Sequence, residues 1–113
     1  MRTTKLISLL ALTSSLGFVL PAHALDDEDA KSLFKKNDCV KCHAPEKEKR
    51  GPSLKKMAGA LSGKADAEMR LVKGMQSTDK VKLSDGSEET HKPVDSKDPA
   101  ALKNLARWIM TFQ

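Results

Sequence analysis

The sequence of 113 residues predicts an all-α fold with three or four short helices. Apolar side chains recur at three- and four-residue spacings in four segments, which is the period of an amphipathic helix. No segment shows the convincing apolar–polar alternation of a half-buried strand. Capping residues, glycines and prolines separate the four segments, so each predicted helix has a defined start and end.

The first 24 residues differ in kind from the rest of the chain. Arg2 and Lys5 precede an apolar run over residues 6–20, and the tripeptide AHA follows as a cleavage site, which is the pattern of a secretory signal peptide. The run of 15 residues is shorter than the ~20 that a membrane-spanning helix needs. We expect a cleaved signal peptide over residues 1–24 and one domain over residues 25–113, with an uncleaved anchor as the alternative.

Composition limits what this exported domain does. Removal of the signal peptide takes Arg2 and Lys5 with it and lowers the formal net charge from +5 to +3. This mixed charge suits a soluble monomer in the periplasm and argues against nucleic-acid binding, and no membrane span is expected after cleavage. The remaining 89 residues contain only three aromatic side chains besides histidine, and a domain of this size is marginally stable. We therefore expect something besides the protein core to help hold the fold together.

The first two helices are predicted from caps and apolar stripes. An acidic first turn suits the helix dipole at the start of a helix from Asp27 to about Lys36. Its apolar stripe consists of Ala30, Leu33 and Phe34. Ser53 is the predicted N-cap of the second helix, and Gly63 is its predicted stop. The stripe of this second helix consists of Leu54, Met57, Ala58 and Leu61.

The second half of the chain predicts two further helices around a long loop. The third helix is expected from about Ala65 to Lys73, with Gly74 as its stop. Residues 76–97 are polar and predict a loop, without strands. Asp98 is then the N-cap, and Pro99 the first residue, of the last helix. The apolar face of that helix consists of Leu102, Leu105, Ala106 and Ile109, with Trp108 and Phe112 beside it.

The pentapeptide CVKCH at residues 39–43 contains both cysteines of the chain. In a helical or turn-like backbone, Cys39, Cys42 and His43 stand at i, i+3 and i+4, so their side chains emerge on one side. Two thiols in this arrangement can add to the vinyl groups of a haem while the imidazole ligates the iron. The sequence C-x-x-C-H is the attachment signature of haem c, and its exported setting fits that assignment. We expect one covalently bound haem c, whose burial adds apolar mass to the core.

Three alternatives apply to the same cysteines. A thioredoxin-like dithiol would follow a strand in a βαβ unit, but the neighbouring segments here predict helices. A Cys2His2 zinc site is arithmetically possible, but the ligand spacing does not match that of a zinc finger. A disulfide between Cys39 and Cys42 would close a very short loop and would stabilise the fold little.

The stretch DAKSLFKKNDCVKCHAPEKEKRGPSL, together with LKNLARWIM near the end, resembles the small bacterial class I c-type cytochromes over nearly the whole mature chain. The resemblance implies a fold of three to four helices around one haem, with Phe34 and Trp108 in contact where the first and last helices cross. It also implies that the backbone carbonyl of Pro52 accepts the ring N–H of His43, the proximal iron ligand. Such a bond fixes the imidazole tautomer.

The chain departs from this family at the second iron ligand. Class I members usually supply a methionine from the loop before the last helix, whereas this chain has EETHKPVD there, with His91 standing 17 residues before Trp108. We expect His91 to be the distal ligand and Met75 to be the alternative. Met57 and Met69 are expected in the core.

We expect one-electron transfer between exported redox proteins. The sequence shows no candidate nucleophile, carboxylate pair or substrate pocket, so we do not expect an enzyme. Two imidazole ligands predict a lower reduction potential than a histidine and a methionine. The alternative function is a haem protein that binds or senses a small ligand after His91 leaves the iron. Docking to acidic partner surfaces is expected from a group of cations around the pentapeptide. These cations are Lys35, Lys36, Lys41, Lys47, Lys49, Arg50, Lys55 and Lys56.

Overall fold

Four α-helices make up most of the part of the chain that the structure describes. The computed structural model describes Gly17 and residues 25–113, so the predicted signal peptide, apart from Gly17, lies outside the described residues. In this described part the elements are α1 (Asp27–Lys36), a 3₁₀ turn (Cys39–Lys41), α2 (Leu54–Leu61), α3 (Ala67–Met75), β1 (Lys80–Lys82), β2 (Glu88–Thr90) and α4 (Pro99–Met110). None of these four helices is long and apolar enough to cross a membrane.

Side-chain caps start three of the helices. A carboxylate oxygen of Asp26 accepts the backbone N–H of Asp29 at 2.9 Å, at the start of α1. Ser53 caps α2 and Asp98 caps α4 in the same way, each by accepting one N–H of the first turn. Each cap satisfies an N–H group that has no partner inside the helix. The predicted starts of these three helices are confirmed, as is the end of α1 at Lys36.

Helix α3 differs from its predicted course. It includes Gly74, the expected stop, and ends one residue later at Met75. Its buried side chains are Ala67, Leu71 and Met75, which are spaced four residues apart on one face. Met69 lies off this face and is 67% exposed, so the expectation that it packs in the core was wrong. The glycine at position 74 continues the helix because the buried Met75 adds another side chain to the apolar face.

The core forms where α4 packs against the other three helices. Leu105 on α4 and Leu54 on α2 are almost completely buried. Phe34 on α1 meets Trp108 on α4 edge-to-face, with ring centroids 5.4 Å apart. This contact was implied by the family resemblance and is confirmed. Edge-to-face pairs contribute about 0.5–1.5 kcal/mol beyond the burial of their area.

A short antiparallel hairpin occupies part of the predicted loop over residues 76–97. In it, Lys80 pairs with Thr90 and Lys82 pairs with Glu88, and the second pair places opposite charges across from each other. Gly86 lies in the connecting turn at φ +86°, a conformation that glycine adopts without steric strain. The expectation of a segment without strands was wrong. Strands of three mostly exposed residues are too short to show a recognisable alternation.

Candidate functional site

The pentapeptide folds as a tight turn directly after α1. Asp38 adopts the left-handed conformation at φ 60° and redirects the chain at the end of the helix. The backbone N–H groups of Cys42 and His43 then both donate to the carbonyl of Cys39, at 3.1 and 2.9 Å. These bonds hold Cys39, Cys42 and His43 close together in the chain, and all three residues line a single crevice. We refer to residues 37–52, which include this turn, as the motif segment.

A backbone carbonyl orients the ring of His43. Its Nδ1 atom lies 2.7 Å from the carbonyl oxygen of Pro52. Because a carbonyl oxygen only accepts hydrogen bonds, Nδ1 must donate, and the lone pair of Nε2 stays free to bind a metal. Gly51 permits this close approach, since a Cβ atom there would lie 3.0 Å from Cε1 of His43 and 3.3 Å from its Nδ1.

His91 is held in a similar way. Its Nδ1 atom lies 3.0 Å from the carbonyl oxygen of Ser77, and its backbone N–H donates to the carbonyl of Asp79 at 2.9 Å. The ring therefore also donates from Nδ1 and has a free lone pair on Nε2. His91 is partly buried and lines the same crevice as His43. We refer to residues 77–95, which include the hairpin and His91, as the His91 segment.

Sequence reasoning did not identify the groups that orient His91. Both are main-chain carbonyls, 14 and 12 residues before the histidine. Any residue type provides such an acceptor, so the sequence contains no pattern that distinguishes Ser77 or Asp79 from their neighbours.

Met75, the alternative ligand, lies at the end of α3 and also lines the crevice. Its side chain is 8% exposed and belongs to the main apolar cluster of the core. Its carbonyl accepts the N–H of Val94 at 2.8 Å and so fixes the end of the His91 segment against α3. Met57 packs against the same cluster, as expected.

The crevice has a volume of about 830 Å³, which is within the range of cofactor pockets in proteins. Its apolar walls include Phe34, Leu54, Leu71, Val94, Leu105 and Ile109. Its basic lining residues are Lys41, Arg50, Arg70, Lys80, Lys82 and Lys92. Of the eight cations that lie near the pentapeptide in the sequence, only Lys41 and Arg50 line the crevice. Three further lining cations come from the hairpin and the residues after it, namely Lys80, Lys82 and Lys92.

The cysteine environment differs from that of a reactive dithiol. The thiols of Cys39 and Cys42 are not joined in a disulfide. Burial raises the pKa of the Cys39 thiol, whereas redox-active dithiols have a lowered thiol pKa. Among residues 25–113, no three side chains of His, Cys, Asp or Glu are placed to hold one metal ion, as a protein-only zinc site would require. An apolar crevice lined by two thiols and an imidazole from one tight turn suits a porphyrin.

A helical shell that presents these groups to an apolar crevice is the arrangement of a c-type cytochrome. The family model described as Cytochrome c matches residues 28–113, and this chain belongs to that family. The fold class and the covalently bound haem c that the sequence predicts are thereby confirmed. The pair Cys39 and Cys42 fits the attachment motif of that haem.

Individual relatives agree with this assignment. The chain is 30% identical to cytochrome c-551 of Pseudomonas aeruginosa strain PAO1 in an alignment of 115 positions, gaps included, that covers 98% of each protein. It is 49% identical to the crystal structure of the class 1 cytochrome MtoD from Sideroxydans lithotrophicus ES-1, with a TM-score of 0.74 over 79% of this chain and 98% of that one. Wild-type cytochrome c552 of Nitrosomonas europaea is 30% identical, with a TM-score of 0.58 over 74% of this chain and 99% of that one. The protein is a monohaem class I cytochrome c.

Proposed function

We propose that this protein is an exported one-electron carrier whose haem iron is ligated by His43 and His91. The haem, held through Cys39 and Cys42, supplies one reversible one-electron redox centre. The observation that supports the ligand pair is the matched orientation of the two imidazoles. Each ring donates from Nδ1 to a main-chain carbonyl and keeps Nε2 free on the same crevice.

On the proximal side, the Pro52 carbonyl fixes the tautomer of His43 and increases the basicity of its free nitrogen. On the distal side, the Ser77 carbonyl acts in the same way on His91. Met75 is the alternative distal ligand. Its burial within the apolar cluster favours a packing role, because its side chain already contacts the core.

Two imidazole ligands set the expected redox behaviour. A methionine thioether raises haem potential relative to a second imidazole, so ligation by His43 and His91 gives a lower potential than ligation by His43 and Met75. With His43 and His91 both bound, the iron would have no vacant position for a substrate. The proposed function is therefore electron transfer and not catalysis on a bound substrate.

The proposed location is the periplasm. The basic and apolar pattern of residues 1–24 supports export and cleavage, which would give a mature domain over residues 25–113. The proposed monomer would meet its redox partners at the crevice mouth, where cations outnumber carboxylates among the lining residues. Such a surface favours fast, weak docking to an acidic partner surface, and its association rate should fall as ionic strength rises.

The alternative function is reversible binding or sensing of a small ligand at the iron. It is favoured by the position of His91, which follows the hairpin rather than lying on a helix of the core. Carbon monoxide added to the reduced protein separates the two functions. An absorption spectrum that is unchanged directly after mixing supports the carrier, in which binding must wait for His91 to leave the iron, and a rapid spectral shift supports the ligand binder.

Visible spectra of the haem-loaded protein test the ligand pair. We expect a low-spin spectrum in the oxidised state without the charge-transfer band of a methionine–iron bond. His91→Ala should convert this spectrum to a high-spin form, whereas Met75→Leu, which conserves volume, should leave it unchanged. A high-spin change with Met75→Leu and not with His91→Ala would contradict the proposal and assign Met75 as the ligand.

A further inference from the structure

Two ion pairs bracket His91 and connect its segment to the motif segment. Glu89, two residues before His91, contacts the guanidinium of Arg50 at 2.7 Å. Lys92, the residue after His91, contacts the carboxylate of Asp38 at 3.0 Å. Asp38 directly precedes Cys39, and Arg50 directly precedes the Gly-Pro turn that orients His43. Both pairs therefore join chain on the His43 side of the crevice to chain that flanks the second histidine.

Backbone contacts accompany each ion pair. The carbonyl of Arg50 accepts the N–H of Ser84 at 3.1 Å, between the two strands of the hairpin. Beside the second pair, the side-chain oxygen of Asn37 accepts the N–H of Asp95 at 2.7 Å. Each end of the motif segment thus holds one part of the His91 segment by a charge contact and a hydrogen bond.

We propose that Arg50 and Asp38 are positioning residues that hold the His91 segment across the crevice and so set how readily the distal imidazole leaves the iron. This inference rests on the proposed ligation by His91. The strand residues of the hairpin are exposed apart from the half-buried Val81, and the buried apolar side chains of the His91 segment are Leu83, directly after β1, and Val94, near its end. The ion pairs and hydrogen bonds to the motif segment therefore add to a small apolar contact in keeping the His91 segment closed.

The strength of these pairs defines the expected size of the effect. Their side chains are between 46% and 62% exposed, so each pair is screened by water and salt. Loss of one exposed pair should raise the open fraction roughly two- to fivefold. Loss of both should multiply the two effects, provided that the pairs act independently.

Carbon monoxide binding to the reduced, haem-loaded protein measures this opening, because the gas binds only after the distal position is vacated. Arg50→Gln and Asp38→Asn remove the charges while keeping side-chain size, and asparagine tolerates the left-handed backbone at position 38. We expect each variant to bind carbon monoxide roughly two- to fivefold faster than the unmodified protein. The charge exchange Arg50→Glu with Glu89→Arg should restore the slow rate.

The matched control is Arg107→Gln. Arg107 on α4 contacts Glu68 on α3 at 2.9 Å in a pair of similar exposure, but it does not line the crevice. This control should leave the carbon monoxide rate unchanged. Rising salt should speed binding in the unmodified protein and in the control, and should have less effect when Arg50 and Asp38 are both replaced.

Amide hydrogen exchange gives a second readout that does not depend on the iron. The N–H groups of Ser84 and His91 should exchange faster in the double variant than in the Arg107 control. Unchanged exchange and unchanged carbon monoxide binding would overturn the positioning role, even if His91→Ala gives a high-spin spectrum. If His91→Ala leaves the spectrum low-spin, the ligand assignment fails instead, and the proposed action of Arg50 and Asp38 on the iron fails with it.

Discussion

The rings of Phe34 and Trp108 meet edge-to-face, and this contact joins the first helix to the last. The same two helices form one side of the molecule's core, and Phe34 also lines the crevice. A change at this contact therefore affects both the stability of the fold and the shape of the wall that faces the haem.

Replacement of Phe34 by alanine should lower the free energy of unfolding by about 3–5 kcal/mol, because it removes a buried ring and leaves a cavity. Chemical denaturation followed by circular dichroism measures this loss. Met69→Ala is the control, since that exposed side chain should change stability by less than about 0.5 kcal/mol. Similar losses for the two variants would contradict the described core.

A methyl group at position 51 should disturb His43. In Gly51→Ala the new Cβ would lie 3.0 Å from Cε1 of the imidazole, so the ring or the turn must shift and the bond to the Pro52 carbonyl must weaken. We expect a changed reduction potential and shifted NMR resonances of the His43 ring. Voltammetry and NMR spectroscopy of the loaded protein would measure both.

Gly59 provides the matched control for this substitution. It lies within α2, and a Cβ atom there would meet no atom within 4 Å. Gly59→Ala should leave the potential unchanged and stabilise the fold by roughly 0.5–1 kcal/mol through the better helix propensity of alanine. Equal shifts in potential for the two variants would disprove a specific effect of position 51 on His43.

Asp38 should titrate at lower pH than an ordinary aspartate. The hydrogen bond from Lys92, followed by that from Lys41, lowers the pKa of the Asp38 carboxyl below 3.8. The stabilising contribution of this group is therefore present above its ordinary pKa and is lost as the pH falls through the lowered folded-state value. NMR titration of the carboxyl carbon measures the shift directly.

Lys92→Gln should move the pKa of Asp38 upwards, towards its ordinary value. The pKa of Asp66, which the hydrogen bond from Arg70 lowers, should not change in this variant. An Asp38 that titrates normally in the unmodified protein would be inconsistent with the ion pair between Asp38 and Lys92.

Asn37 should be important for stability although it follows the last residue of α1. Its side chain is 8% exposed, and its two polar ends bond the carbonyl of Leu33 and the N–H of Asp95. Asn37→Ala should destabilise the fold by about 1–3 kcal/mol, because the N–H of Asp95 loses its partner, whereas the carbonyl of Leu33 still accepts the backbone N–H of residue 37. Asn37→Asp keeps the acceptor for Asp95, so exchange at that amide should accelerate only in the alanine variant.

The helix starts were predictable because their causes are local. A cap such as Ser53 or Asp98 bonds an N–H two or three residues later, so the residue type and its position are enough. The pentapeptide is local in the same sense, since its turn closes within five residues. The expected end of α3 at Gly74 was wrong because the burial of Met75, a tertiary effect, decides where that helix ends.

The surroundings of His91 depend on contacts between distant parts of the chain. The partners of its flanking residues, Arg50 and Asp38, are 39 and 54 residues away from Glu89 and Lys92. Charged residues are frequent throughout this sequence, so no local pattern selects these two pairs. The hairpin was missed for a related reason, because two short strands are stabilised by pairing with each other rather than by propensity.

Main-chain oxygens, rather than side chains, hold the rings of both histidines in the crevice. A substitution at Pro52 or Ser77 leaves a carbonyl in place as long as the backbone keeps its path. Most point mutations at Pro52 or Ser77 should therefore leave the orientation of each imidazole unchanged. A change in the orientation of either ring requires a change in the backbone path, for example by insertion of a residue before Pro52 or after Ser77.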